Sequence, residues 1–273
     1  MPCTFIKSEA PELFDLLTNV FKYKLKLAEI GITDLLIYKL TEYCDVNHLS
    51  NVAIYHAKQE SVYGADIDLF VEQTTGKFIW FALQAKVMNH QGVYKDLRIK
   101  KKSPQQWEKL KHNEATHGAK AYYLFYNGDY TSFGLPTPTR SDCQGVPGIS
   151  DYGYGIVERR HIEAHFSGGA LKAKLTDFYP HDMDALRKLL CCDYDDPMGL
   201  TEYAYADIHT AAPYVQIYPR EVNPDTGIRA NPDVSAFAPF RIVVSKPLAA
   251  DDPYDISLHR LMRVLEPLKF KRP

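Results

Sequence analysis

The chain has 273 residues, 45% hydrophobic and 24% charged, which fits a globular protein with a substantial core and roughly one or two domains. A formal net charge of −2 makes no general case for nucleic-acid binding. No apolar run approaches the roughly 20 residues that span a bilayer, and "MPCTFIKSEAPELF" lacks the order of a signal peptide, so no membrane association is expected.

In chain order, Ser8, Glu9 and Pro11 read as a helix start. Leu13, Leu17, Val20, Phe21 and Ala28 follow at helical spacing. Gly31 interrupts, and "TDLLIYKLTEY" reads as a second helix capped by Thr33. "NVAIYHAKQE", "ADIDLFVEQ" and "KFIWFALQAKV" read as three successive strands, the last two joined by "TTG" in a β-hairpin. "SPQQWEKLKHNEA" opens with Ser-Pro, an N-cap followed by a first-turn proline, and is expected to be helical. "AKAYYLFYN" is a β-prone fourth strand. The expected class is α/β with a mixed central sheet, built from one or two helices, three strands, a helix and a strand over residues 1–130.

Beyond residue 130 the texture changes, with 14 of the 17 prolines at Pro136 or later. "YGIVERRHIEAHF" suggests a strand or short helix, "MDALRKLL" a helix, "PYVQIYP" and "PFRIVVSKP" short strands, and "ISLHRLMRVLEPL" a final helix. Residues 131–273 therefore read either as a proline-rich extension wrapped on the core or as a small α+β domain.

The cysteines, Cys3, Cys44, Cys143, Cys191 and Cys192, form an odd and unpatterned set without CxxC. They suggest a reducing, cytoplasmic location without structural disulfides or a zinc knuckle, with the 191–192 pair in the core. His161 and His165 in "HIEAH" lie one helical turn apart, but the glutamate position is not that of HExxH, and a non-ligand role is favoured. Charge is locally uneven: residues 1–130 hold 16 Lys/Arg against 15 Asp/Glu, and five of those cations are Lys95, Arg98, Lys100, Lys101 and Lys102.

The chemistry concentrates on the hairpin. Gln84 and Lys86 share one strand face, as do Asp66 and Asp68 on the preceding strand, and pairing the strands can bring both polar sets together. A lysine on so apolar a strand needs a partner, since desolvating it alone costs several kcal/mol or more, roughly. Aspartate with an amide oxygen offers the oxygen donors that Mg²⁺ takes. Lys86 then answers the charge of a carboxylate, a metal and a phosphate.

Asp66 followed by Gln84-Ala85-Lys86, inside a helix–strand–strand–strand–helix–strand order, resembles the PD-(D/E)xK nuclease superfamily. More narrowly, "GAD" and "QAK" resemble its QxK members, which include Mrr-like restriction enzymes and nuclease effectors of antiphage defence. The resemblance covers about residues 25–127; "ITD" at 32–34 and "QQWEKLK" belong to it as well. It implies a restriction-endonuclease-like core and a Mg²⁺- or Mn²⁺-dependent endonuclease acting on DNA, with RNA left open. A role in prokaryotic defence also follows, as a homo-oligomer or with a defence-system partner. By resemblance Asp66 is the metal-binding aspartate, Asp68 is its lesser alternative, Gln84 replaces the usual acid, and Lys86 is the motif lysine. Glu29 or Glu60 supplies a further carboxylate, and Gln105 or Gln106 contacts substrate or steadies the site. The basic run 95–102 follows the catalytic strand, where it can touch phosphates. A non-catalytic nucleic-acid-binding or scaffold protein, its site decayed at Gln84, is the alternative.

Overall fold

The run Lys77–Val87 is apolar on both faces, and a strand of that composition belongs in the middle of a sheet. In the computed structural model of the chain it lies there, with nine consecutive residues buried. The structure describes residues 2–57, 64–74, 76–95, 97, 106–130, 135–138, 141–192, 203–204, 214–219 and 238–246.

Two helices open the chain, α1 (Pro2–Lys22) and α2 (Glu29–Val46). Strands β1 (Val52–Ala57), β2 (Ile67–Thr74), β3 (Lys77–Val87) and β4 (Val93–Tyr94) follow, then α3 (Gln106–His117) and β5 (Lys120–Tyr126). A 3₁₀ turn at Ile149–Gly153 leads to β6 (Tyr154–Glu158), α4 (Arg159–Ser167), β7 (Ala173–Lys174), α5 (Leu175–Phe178), β8 (Met183–Ala185) and α6 (Arg187–Cys191). The last described elements are β9 (Tyr203–Ala204), β10 (Tyr214–Tyr218) and β11 (Phe240–Val244).

The fold is α/β around a mixed sheet in the order β10-β1-β11-β2-β3-β5-β6-β8, with β9 paired to the start of β3. β2 and β3 form the expected antiparallel hairpin, closed through Gly76 at φ 74°, a left-handed conformation that suits glycine. β3 pairs β5 in parallel, the two being linked through α3. β11, the short strand expected in "PFRIVVSKP", inserts between β1 and β2 and runs parallel to β2, a placement that the sequence reading did not anticipate. Strands from beyond residue 130 thus lie at both ends of the sheet and inside it.

Local readings are corrected where tertiary burial outweighs a local signal. α1 starts at Pro2, not near Ser8, because Cys3, Phe5 and Ile6 extend its buried stripe. Pro11 sits inside the helix, although an interior proline costs about 3 kcal/mol. Ser8 does not cap: its hydroxyl donates to the Phe5 carbonyl at 2.8 Å. Gly31 and Thr33 lie within α2, which begins at Glu29. "MDALRKLL" divides into β8, whose Met183 and Ala185 are buried, and α6. The final-helix reading at 256–268 and the Ser103-Pro104 start lie outside the described residues.

The cysteine reading is also corrected. Cys3 is bonded to Cys191 and Cys143 to Cys192, with Cα separations of 5.7 and 5.4 Å. Adjacent cysteines rarely bond each other, so each takes a partner from a distant segment. Cys44 alone stays free among the described cysteines; it is buried on α2, and desolvation pushes its thiol up to about 12. No helix among the described residues is long and apolar enough to cross a membrane.

Candidate active site

β2 begins at Ile67, which pairs with Leu83, so β3 runs on beyond its neighbour's first residue. The exposed backbone there needs a partner. Asp66 provides it: its N–H donates to the Leu83 carbonyl at 2.8 Å, and its Oδ2 accepts the Ala85 N–H at 2.7 Å. Gln84, 2% exposed, donates through Nε2 to the same oxygen and to the Ala85 carbonyl at 3.3 Å. Both polar side chains are held at the C-terminal end of β3, beside the parallel strand β5.

Lys86 continues this face and is 4% exposed. Its Nζ donates to Glu29 Oε1 at 3.0 Å, so the carboxylate that answers this buried lysine comes from α2. Glu29 is the first residue of that helix, where a negative side chain suits the helix dipole. Thr33 fixes the turn: its hydroxyl donates to the Glu29 carbonyl at 3.1 Å and lies 2.7 Å from the hydroxyl of Tyr126 on β5. Tyr126 is fully buried, and burial holds its phenol well above the ordinary value. A helix start is thereby fastened to a central strand, and Glu29 is placed against Lys86.

Glu29, Asp66 and Gln84 line a cleft of about 500 Å³ together with Asp34, His56 and Lys109, while Lys86 is not among its lining residues. Burial raises the Asp66 carboxyl to about 6, and the negative Glu29 adds to this. The Lys86 charge and the hydrogen bonds from Ala85 and Gln84 pull the other way. At neutral pH Asp66 therefore carries its charge at a penalty. Its Oδ1 accepts no hydrogen bond among the described residues.

Asp68 does not join this group. It lies on the shared strand face, as its spacing predicts, but is 0% exposed and turned toward Trp80 and Arg241. The Trp80 Nε1–H donates to it at 2.9 Å, and the Arg241 guanidinium of β11 at 3.3 Å. That arginine also covers the ring of Phe70, 5.1 Å from its centroid. Asp68 is thus engaged away from Asp66, whereas the Glu29 carboxylate acts on Asp66 electrostatically.

A family model described as "Family of unknown function (DUF6615)" matches residues 2–266. The chain belongs to that family. No curated protein and no solved structure matches it.

Other expectations for this DUF6615 chain fall differently. Glu60, Arg98, Lys100, Lys101, Lys102 and Gln105 lie outside the described residues. Gln106 opens α3, its side chain not described. Lys95 is exposed after β4 and is not among the residues lining the cleft. His161 lies 3.3 Å from Asp182, and His165 meets the Lys172 carbonyl at 2.8 Å. Among the described residues no group of three or more His, Cys, Asp or Glu side chains is disposed to hold a metal ion. Asp34, His56 and Lys109 were missed as lining residues. Asp34 and Lys109 lie within the quoted "ITD" and "QQWEKLK", whereas nothing in the sequence marks His56.

Proposed function

We propose that this chain is a Mg²⁺- or Mn²⁺-dependent endonuclease that hydrolyses DNA phosphodiester bonds, built on a restriction-endonuclease-like core. The observation that carries the reading is the convergence of Asp66, Gln84, Lys86 and Glu29, from three elements, at the end of β3. The parallel β3–β5 pair and the antiparallel β2–β3 hairpin support it, as does the resemblance of Asp66 and "QAK" to QxK nucleases. That resemblance also points to prokaryotic restriction or antiphage defence in the cytoplasm.

The donor set fits the ion. Mg²⁺ typically takes one or two carboxylates and keeps several waters. Asp66 Oδ1 and Gln84 would hold it, with Glu29 as the nearby second carboxylate. As it stands the Gln84 N–H end bonds Asp66; the oxygen end, reached by turning the amide over, is the one that would bind a cation. The metal supplies a hydroxide-like water and Lewis-acid polarisation of the phosphate. Lys86 gives one N–H to Glu29 among the described residues. Its remaining donors and its charge stabilise the negative charge that develops on the phosphoryl oxygens. Lys109 and His56 on the cleft walls suit the flanking phosphates.

Supercoiled plasmid with Mn²⁺ or Mg²⁺ tests the reading. Cleavage is expected, abolished by EDTA and reduced at least about 100-fold in Asp66→Ala and Lys86→Ala. Undiminished cleavage in both variants would overturn the assignment. A second reading rests on how fully the site satisfies itself: Lys86 is paired, and the Gln84 amide donates to Asp66. A binding module with a decayed site would retain DNA, show no cleavage, and gain no thermal stability from either metal.

A further inference from the structure

The Asp66 cleft carries an aromatic wall as well as charged groups. Phe240 begins β11, and His56 faces it in register on β1, their ring centroids 5.1 Å apart and tilted by 38°. Both line the cleft; His56 is exposed and Phe240 half-buried. We propose that the cleft binds single-stranded DNA, with an unpaired base stacked on Phe240 and His56 next to Asp66. This rests on the nuclease reading of the same cleft and names the form of its substrate.

Three observations carry this. First, the ring pair is tied to the carboxylate by backbone. The Phe240 N–H donates to the Asp66 carbonyl at 3.3 Å, and the Ala57 N–H to the Pro239 carbonyl at 2.7 Å, so the sheet itself fixes both ring-bearing residues relative to Asp66. Second, apolar surface continues beyond the rings. Ile30, 74% exposed, lines the same cleft from the first turn of α2. A lone exposed isoleucine means little, but one that shares a cleft with two rings extends an uncharged wall. Third, the charges of the cleft do not suit a duplex. Glu29, Asp34 and Asp66 line it against Lys109, the one lysine or arginine among its described lining residues. A duplex presents one negative charge per about 1.7 Å of axis and is held chiefly through basic contacts.

Bases in a duplex stack on one another and hide their faces, whereas an unpaired base offers its π-face to an aromatic side chain whatever its identity. Phenyl and imidazole rings both serve as such platforms. The same imidazole that suits a phosphate with its nitrogens offers its face to a base. A volume of about 500 Å³ is that of a pocket for a small organic molecule, which suits one nucleotide unit. Stacking then supplies the affinity that an acidic lining withholds from the phosphates.

The test follows the fluorescence anisotropy of a dye-labelled, mixed-sequence DNA strand, alone and annealed to its complement, with the full chain in EDTA and again with Ca²⁺, which takes oxygen donors as Mg²⁺ does. The single strand is expected to bind at least about 10-fold tighter than the duplex. Phe240→Leu, which keeps apolar bulk but loses the π-face, and His56→Ala should each weaken that binding at least about 5-fold, while Phe240→Tyr retains it. Equal affinity for strand and duplex in both conditions, or no binding of the strand in either, would overturn the proposal. So would single-strand binding that neither Phe240→Leu nor His56→Ala weakens. His56 is exposed, so its variant decides the matter where Phe240→Leu does not fold. Plasmid cleavage without a single-strand preference removes this inference and leaves the nuclease. Single-strand preference without cleavage in Mg²⁺ or Mn²⁺ removes the nuclease and leaves the aromatic site.

Discussion

Asp66 and Asp68 leave the same face of one strand two positions apart, yet one lines an open cleft and the other is wholly enclosed. Their immediate sequence is nearly symmetrical, and the difference comes from elsewhere. Asp68 faces an arginine 173 residues away on β11, and an indole N–H from β3. Asp66 has the amide of Gln84 and a backbone N–H, with its nearest cation, Lys86, already engaged by Glu29. A buried carboxylate with a dedicated cation is a structural element. One whose nearest cation is shared with a second carboxylate carries a penalty that a ligand can remove.

The contrast can be broken most severely at Arg241. Arg241→Ala leaves Asp68 buried without its guanidinium and should destabilise the protein by about 3–5 kcal/mol in denaturant titration. Thr33→Val removes the hydroxyl beside Tyr126 and leaves the buried phenol unpaired, an expected loss of about 1–3 kcal/mol. The proposed metal-dependent cleavage should fall with it, because Glu29 loses its anchor.

Asp66→Asn should act in the opposite direction. The Asp66 carboxyl titrates near 6 in the folded chain against 3.8 unfolded, so the folded state binds its proton more tightly. That contribution is complete below 3.8 and is lost as pH rises through about 6. Metal-free Asp66→Asn keeps an oxygen acceptor and avoids the penalty. At pH 7 it should be more stable than wild type by about 1–3 kcal/mol, with a flatter stability profile between pH 4 and 7. Equal melting temperatures for the two proteins across that range would overturn this account of Asp66. The smallest effect is expected for Lys86→Met, about 1 kcal/mol or less, because the half-exposed Glu29 can turn to water. That near-neutral stability would sharpen the contrast with Arg241.

The strands of the hairpin were legible because periodicity and a short glycine turn act locally. β3 has the bounds its apolar run implies, and Asp66, Gln84 and Lys86 share the face that alternation assigns them. Helix starts were less legible. Local cap chemistry at Ser8 and Thr33 competed with the burial of Phe5, Ile6 and Ile32, and burial prevailed. Two facts had no local signal at all: that Glu29, 57 residues from Lys86, is its partner, and that Arg241 removes Asp68 from the site. The cysteines were misread for the same reason. Spacings of 188 and 49 residues carry no pattern until the three segments are folded together.

The place of β11 has a consequence for how the molecule is made. β1 and β2 leave the ribosome early, but the strand that joins them is nearly the last described part of the chain to be synthesised. Until then the nascent protein holds a gap bordered by two unsatisfied strand edges, the arrangement that invites pairing with another chain. Closure depends on contacts of very long sequence separation, which are slow to form. Early arrest of translation, or loss of the C-terminal segment, should therefore yield aggregation-prone chains, and holding chaperones should matter most in the interval before residues 240–244 emerge.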